Sequence, residues 1–167
     1  REKLMLTISH DIRAPLSSII GYIELLLRRH PDERQQYYLE NMKGSSDHIL
    51  SLVNDLLDFQ RLESGEMEVH SVPFRVPALF DEIYTSFQPI AEAKGLRFVL
   101  NLKPEETGQV YMGDPIRIRQ VVGNLLSNAI KFTEAGRVVL LVSLQKLSAV
   151  HYQLSITCHL YTSDAAD

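Results

Sequence analysis

The 167-residue sequence lacks the features that mark several large classes of protein. Its single cysteine, Cys158, excludes an intrachain disulfide framework and suits a reducing compartment. The longest apolar run, VVLLV at 138–142, is far shorter than the roughly 20 residues that a membrane span needs. The net charge of -4 gives no electrostatic reason to expect nucleic acid or an anionic membrane. We therefore expect no nucleic-acid partner and no membrane contact within this sequence.

The rest of the composition is that of a globular protein. Hydrophobic residues make up 45% of the sequence and charged residues 23%. The first residues show no signal-peptide pattern, and Arg1 is expected to lie already inside a helical pattern. We therefore expect a cytoplasmic portion of a longer protein.

Residues 4–27 are predicted to form a first amphipathic helix. Its apolar positions recur every three or four residues in one stripe: Leu4, Ile8, Ile12, Pro15, Ile19, Ile23 and Leu26. At about 100° per residue, His10 falls opposite the centre of that stripe. The same polar face is predicted to hold Arg13, Ser17, Gly21, Glu24 and Arg28.

A second helix is predicted from Asp32, with Gln35 at capping-box spacing, to a C-terminal Gly65. Its apolar seam is Leu39, Met42, Ser46, Ile49, Val53 and Leu56, widened by Leu50 and Leu57. Two antiparallel helices with such broad apolar faces cannot bury both faces as one hairpin. We therefore expect a homodimer in which two hairpins form a four-helix bundle.

The sequence changes to a mixed α/β pattern after a boundary near 65–75. The predicted elements are a helix at 78–95 and strands at 96–102, 137–144 and 151–157. A further helix begins after Asp114 as N-cap, with Pro115 at its first position. We assign 1–68 to the hairpin, 69–157 to the α/β domain and 158–167 to a tail.

Two motifs carry the candidate chemistry. In SHDIRAPLSSIIG, His10 can act as a nucleophile if its ring is oriented, and Asp11 is placed to accept a proton or hydrogen bond. Pro15 has no N–H, so the carbonyl of Asp11 loses its helical partner. A lone His-Asp pair on a polar face is more often ordinary surface.

The second motif is NLLSNAIKFT at 124–133. Asn124, Asn128 and Lys131 are spaced by four and three, so they share one helix face. Amide oxygens suit Mg²⁺, a hard cation, and the lysine adds a charge for phosphates. Taken alone, this spacing is a weak indication of function.

Together, the two motifs resemble the H box and N box of sensor histidine kinases of two-component signalling. The second lies in GDPIRIRQVVGNLLSNAIKFT, about a hundred residues after the first. The resemblance implies a dimerisation and phosphotransfer hairpin followed by the first part of a Bergerat-type α/β sandwich that binds ATP. It also implies a response-regulator receiver domain as partner, and it leaves open an inner-membrane anchor elsewhere in the full-length protein.

The resemblance also implies a role for each site residue. His10 would be the phosphoacceptor, with Asp11 as its acid/base and orienting partner. Asn124 and Asn128 would bind Mg²⁺, and Lys131 would contact the nucleotide phosphates. Phe132 would either wall the nucleotide pocket or belong to the core.

Two departures from the family pattern matter. Ala14 stands where many members carry a Thr or Asn that positions water, so we expect weak or no dephosphorylation of the regulator. None of the eight glycines lies within two positions of another, so the family's glycine-rich boxes are missing. CHLYTSDAAD at 158–167 stands in their place and is predicted to be non-native. We expect that the 167 residues alone neither bind ATP tightly nor autophosphorylate.

Two other functions are open at this point. A non-catalytic dimeric module for phosphotransfer or regulator docking would fit the missing glycine boxes. A Bergerat-fold ATPase of the gyrase, Hsp90 or mismatch-repair type would carry a similar asparagine, but it has no phosphoacceptor hairpin, so SHDIRAPL argues against it.

Overall fold

The computed structural model describes residues 2–103 and 108–162, with side chains from Thr7 onward. The chain divides into two compact units, 1–68 and 69–167. The first is all helical and the second is mixed α/β. Each unit is described separately below.

The first unit is the expected helical hairpin. Helix α1 spans Glu2–Leu27 and helix α2 spans Glu33–Glu63. The Asp32 carboxylate accepts from the Gln35 backbone N–H at 2.8 Å, and the Gln35 side chain accepts from the Asp32 N–H at 3.1 Å. This capping box confirms the predicted start of α2. Gly65 has a φ of +70° just after the helix, as expected for a C-terminal glycine.

The side of α1 that packs on α2 differs from the predicted stripe. From Thr7 onward, the buried or half-buried positions of α1 are Ser9, Arg13, Leu16, Ile20, Gly21, Ile23 and Leu27, and those of α2 include Leu39, Ser46, Leu50, Val53 and Leu57. Of the predicted α1 stripe, Ile8, Ile12, Ile19 and Leu26 are exposed. A single hairpin buries one row of side chains on each helix. The apolar row of α1 that contains Ile8, Ile12, Ile19 and Leu26 therefore stays exposed.

The second unit contains two helices and five strands. They are β1 (Val72–Phe74), α3 (Val76–Ala93), β2 (Arg97–Leu102), β3 (Tyr111–Gly113), α4 (Pro115–Phe132), β4 (Gly136–Lys146) and β5 (Tyr152–Thr162). Strand β4 is central, parallel to β2 and antiparallel to β5, and β1 pairs with β3 in a separate antiparallel ribbon. This two-layer α/β arrangement confirms the predicted class of fold.

The core of this unit lies between the sheet and helices α3 and α4. Its fully buried members include Phe80 and Ile83 of α3, Leu126 of α4, and Val138 and Leu140 of β4. Alternate residues of β4 are buried, as expected for a strand with one covered face. The core therefore fixes which side of α4 faces inward.

The strands differ from the predicted ones in the end of the third strand and in two short additions. The third strand does not end at Thr157 but pairs with β4 as far as Thr162, where Arg137 lies over the ring of Tyr161 at 4.4 Å. The proposed tail at 158–167 therefore begins within a strand; its residues 163–167 lie outside the described part. The short strands β1 and β3 were not predicted, because three residues are too few to show a period of two.

Candidate functional site

His10 lies on an exposed part of α1. Its side chain is 79% exposed and that of Asp11 is 71% exposed. The Nδ1 atom of His10 lies 3.8 Å from Oδ1 of Asp11, which is an electrostatic contact and too long for a hydrogen bond. The ring is therefore open to a reactant and has a carboxylate beside it. Catalytic hydrogen bonds often shorten only when the reactant is bound.

The helical periodicity predicted that Arg13 would share the polar face with His10. The structure contradicts this prediction. Arg13 is half-buried in the hairpin, and its guanidinium donates a hydrogen bond to Oδ1 of Asn54 in α2. The long arginine side chain reaches a partner on the other helix of the hairpin. The spacing of polar residues along a single helix does not show such a contact. Ala14 and Pro15, the next two residues, are both exposed. Helix α1 continues past Pro15 to Leu27.

The N-terminus of α4 is held by Asp114, as predicted. One carboxylate oxygen accepts from the Arg117 N–H at 3.1 Å and the other from the His70 N–H at 3.0 Å. The two backbone N–H donors, His70 first and then Arg117, hold the pKa of this carboxyl below its usual range. Asp114 thus ties the chain before β1 to the start of α4.

We expect the stabilising effect of Asp114 to depend on pH. A carboxyl whose pKa is lower in the folded state stabilises that state above its unfolded pKa, about 4. Its contribution is lost as the pH falls through the lower folded pKa. The wild type should therefore be more stable than Asp114→Asn at pH 7, and the difference should shrink below about pH 4. Hydrogen exchange of the α4 amides at several pH values measures it, and a difference independent of pH would contradict this account.

The α4 residues of the second motif share one exposed face. Asn124, Asn128 and Lys131 are all exposed, whereas Val122 and Leu126 of the same helix are fully buried. The buried positions face the core, so the amides and the lysine point outward. The structure places them together as the spacing predicted.

Phe132 is 68% exposed, so it is not a core residue. Its ring lies beneath Nζ of Lys131 at 5.4 Å. This arrangement leaves an aromatic face beside the lysine at the end of α4. This exposure contradicts the alternative of a core aromatic.

The donor set of α4 fits a magnesium nucleotide. Two side-chain amide oxygens on one helix face are hard, neutral ligands, which suit Mg²⁺ when phosphate oxygens complete its shell. Lys131 supplies a positive charge one turn further on. Among the described residues, no group of three His, Cys, Asp or Glu side chains could hold a metal ion. A metal at α4 would therefore depend on the asparagines together with the nucleotide.

The C-terminal end of α4 is held by a residue that local sequence patterns do not indicate. Nζ of Lys94, just after α3, donates to the carbonyls of Ile130 at 2.6 Å and Lys131 at 2.9 Å. A cation at this end of a helix is favourable because the last carbonyls lack helical partners. Lys94 lies 36 positions before Ile130, so no local signal could have shown the contact.

The comparisons with known proteins agree with the two motifs. The family described as "His Kinase A (phospho-acceptor) domain" matches residues 1–65. The sequence is 35% identical over 156 residues to the signal transduction histidine-protein kinase BarA of Escherichia coli K12, covering 93% of this chain and 17% of BarA. It is 37% identical over 157 residues to the sensor protein GacS of Pseudomonas syringae pv. syringae, covering 94% of this chain and 17% of GacS.

A solved structure gives the same result. Full-length ShkA in complex with AMPPNP is 32% identical, with a TM-score of 0.73 over 93% of this chain and 33% of ShkA. The chain thus spans about a sixth of the curated relatives and a third of that structure.

The hairpin matches the phosphoacceptor family, and the α/β unit that follows it in the sequence has the fold of the corresponding segment of a histidine kinase. The chain belongs to the sensor histidine kinases of two-component signalling, and its first 65 residues form the His Kinase A domain. Within the described part of the chain, no helix is both long and apolar enough to cross a membrane.

Proposed function

We propose that this chain is the core of a sensor histidine kinase that autophosphorylates His10 with ATP and passes the phosphoryl group to an aspartate of a response regulator. The observation that carries the proposal is the exposed His10 ring in a matched phosphoacceptor hairpin. We expect the reaction to take place in the reducing cytoplasm, which the single cysteine suits.

In this proposal His10 is the nucleophile and Asp11 its acid/base partner. A ring nitrogen of His10 attacks the γ-phosphorus of ATP, the P–O bond to the β-phosphate breaks, and ADP leaves. The proton on the other ring nitrogen can pass to the Asp11 carboxylate beside it. Both side chains are exposed, so a nucleotide-binding domain and a receiver domain can each reach the ring. Ala14 has no polar group with which to hold a water, so this site is suited to transfer and not to dephosphorylation of the regulator.

The homodimer is proposed from the open apolar strip of α1. Ile8, Ile12 and Ile19 are each more than 40% exposed in the single hairpin. Contiguous exposed apolar strips of this kind indicate an interface. A second hairpin packed on this strip completes a four-helix bundle, which is the arrangement expected from the sequence.

ATP and Mg²⁺ are proposed to bind at the exposed face of α4. The nucleotide, when bound, supplies the phosphoryl group for His10. Asn124 and Asn128 hold the metal, Lys131 neutralises phosphate charge, and Phe132 borders the nucleotide. ShkA was solved with AMPPNP and is 32% identical to this chain, which supports a nucleotide site in this unit.

The experiment that tests the proposal uses a chimera. Residues 1–157 replace the matching segment of GacS, which then supplies the remainder of a kinase. We expect the chimera to incorporate phosphate from ATP and the isolated 167-residue chain to incorporate none. An inactive chimera that is phosphorylated only by another kinase would support the non-catalytic phosphotransfer module instead.

Replacement of Asn128 by Ala in the chimera should lower autophosphorylation by about 10- to 100-fold or more, because groups that hold a catalytic metal have at least that effect. Ser127→Ala is the matched control, since Ser127 is the exposed neighbour with no assigned role. Both sites are exposed, so neither change should alter thermal unfolding. Initial rates at several Mg²⁺ concentrations measure the effect. Equal rates in the two variants would remove Asn128 from the metal site.

A further inference from the structure

Arg13 occupies an unusual position for a charged side chain. It is half-buried in the hairpin, it makes one hydrogen bond, to the neutral oxygen of Asn54, and its Nε is buried without a partner. A guanidinium has five N–H donors and keeps its charge at all physiological pH values. Among residues 7–103 and 108–162, no carboxylate forms an ion pair with Arg13. Its charge therefore has no counter-ion among the described residues, and an anion would supply one.

The proposed site of phosphorylation lies one helical turn away. His10 and Arg13 are three positions apart on α1, which places their Cβ atoms about 5–6 Å apart. The Asp11 carboxylate lies 3.8 Å from the His10 ring. A phosphoryl group on the ring would bring a charge of about −1.5 to −2 beside this carboxylate. Arg13 is the cation placed to offset it.

We propose that Arg13 binds the phosphoryl group carried by His10, and that Asn54 holds the guanidinium in the hairpin until that group is present. The inference rests on the proposed function, in which His10 is the phosphoacceptor. The bond from Arg13 to Asn54 has a charged donor but a neutral acceptor, whereas phosphate oxygens are charged and can accept two parallel N–H bonds from one guanidinium. Exchange of the Asn54 oxygen for phosphate oxygens is therefore favourable, and it leaves Asn54 free in the phosphorylated state only.

The test requires phosphorylated His10 but no nucleotide site. Potassium phosphoramidate phosphorylates exposed histidines directly in the 167-residue chain. A ring nitrogen attacks the phosphorus, the P–N bond of the reagent breaks, ammonia leaves, and the proton of the other ring nitrogen goes to solvent. His48 serves as an internal control, since it is exposed on α2 and Ser51, not an arginine, lies three positions further.

The measurement is the lifetime of the phosphate at each histidine after the reagent is removed, followed by ³¹P NMR and by peptide mass spectrometry. Phosphohistidine hydrolyses through the form protonated on its other nitrogen, which a neighbouring cation disfavours. Arg13→Gln, which retains a donor for Asn54 but loses the charge, should shorten the lifetime at His10 by about three- to tenfold. Arg13→Lys should restore most of it. The lifetime at His48 should not change.

Asn54→Leu separates direct binding from a structural effect. This change releases Arg13 from the hairpin, so the lifetime at His10 should stay the same or lengthen. In the wild-type chain, the lifetime at His10 should exceed that at His48, a comparison that needs no variant to fold.

Three results would overturn the inference. The first is an equal lifetime at His10 and His48 in the wild type, and the second is no effect of Arg13→Gln. The third is a shortening by Asn54→Leu as large as that by Arg13→Gln, which would show that the two residues act only by stabilising the hairpin. Phosphate on His48 with none on His10 would instead contradict the proposed function, and the role of Arg13 with it.

Discussion

His10→Gln should abolish autophosphorylation of the GacS chimera, with a loss of at least about a thousandfold, because a nucleophile has no substitute in group transfer. Glutamine resembles the imidazole in size but cannot carry the phosphoryl group. The side chain is 79% exposed and makes no hydrogen bond to the described chain, so the fold should be unaffected. Exposed substitutions usually change the free energy of unfolding by less than about 0.5 kcal/mol. Incorporation of labelled phosphate from ATP measures the loss.

His48→Gln is the matched control for this experiment. His48 is also exposed on a hairpin helix, but it has no neighbouring carboxylate at ion-pair distance in the described chain. The His48→Gln chimera should incorporate as much labelled phosphate as the unmodified chimera. A chimera that keeps a substantial fraction of its activity after His10→Gln would show that another residue accepts the phosphoryl group.

The second large effect is expected in the core beneath the α4 face. Leu126 is fully buried, and its neighbour Leu125 is 42% exposed. Leu126→Ala removes three buried carbon atoms and leaves a cavity between α4 and the sheet, at a cost of about 2–5 kcal/mol. Because Leu126 lies between Asn124 and Asn128, this loss would also disorder the proposed metal face. Leu125→Ala should cost less than about 1 kcal/mol.

Native-state hydrogen exchange measures this difference because it reads the two units separately. We expect Leu126→Ala to lower the protection of the β4 amides by more than about tenfold. The amides of α1 and α2 belong to the other unit and should keep their protection. A similar loss of protection from Leu125→Ala would mean that the inward face of α4 has been assigned wrongly.

Local signals in the sequence were sufficient for the hairpin and for the start of α4. Asp32 with Gln35, Gly65, and Asp114 before Pro115 are short-range capping patterns, and the structure has a cap at each of them. Helical spacing was also sufficient to place Asn124, Asn128 and Lys131 on one face, because the buried positions of α4 alternate with them.

Contacts between distant residues could not be predicted in the same way. Arg13 was assigned to the polar face because periodicity measures polarity along one helix and not the reach of a side chain to Asn54. Lys94 caps α4 from the end of α3, far away in sequence. The extension of β5 beyond Thr157 is a different case, since Cys158 and Leu160 continue the alternation of Tyr152, Leu154 and Ile156, and the strand pairs with β4 as far as Thr162.

The central claim is that His10 is the phosphoacceptor. Its most direct test is to incubate the GacS chimera with ATP and Mg²⁺ and to locate the phosphate by peptide mass spectrometry under conditions that preserve phosphohistidine. The account predicts phosphate on the peptide that contains SHDIRAPL, at His10. Phosphate on any other histidine, with His10 unmodified in an active chimera, would contradict it.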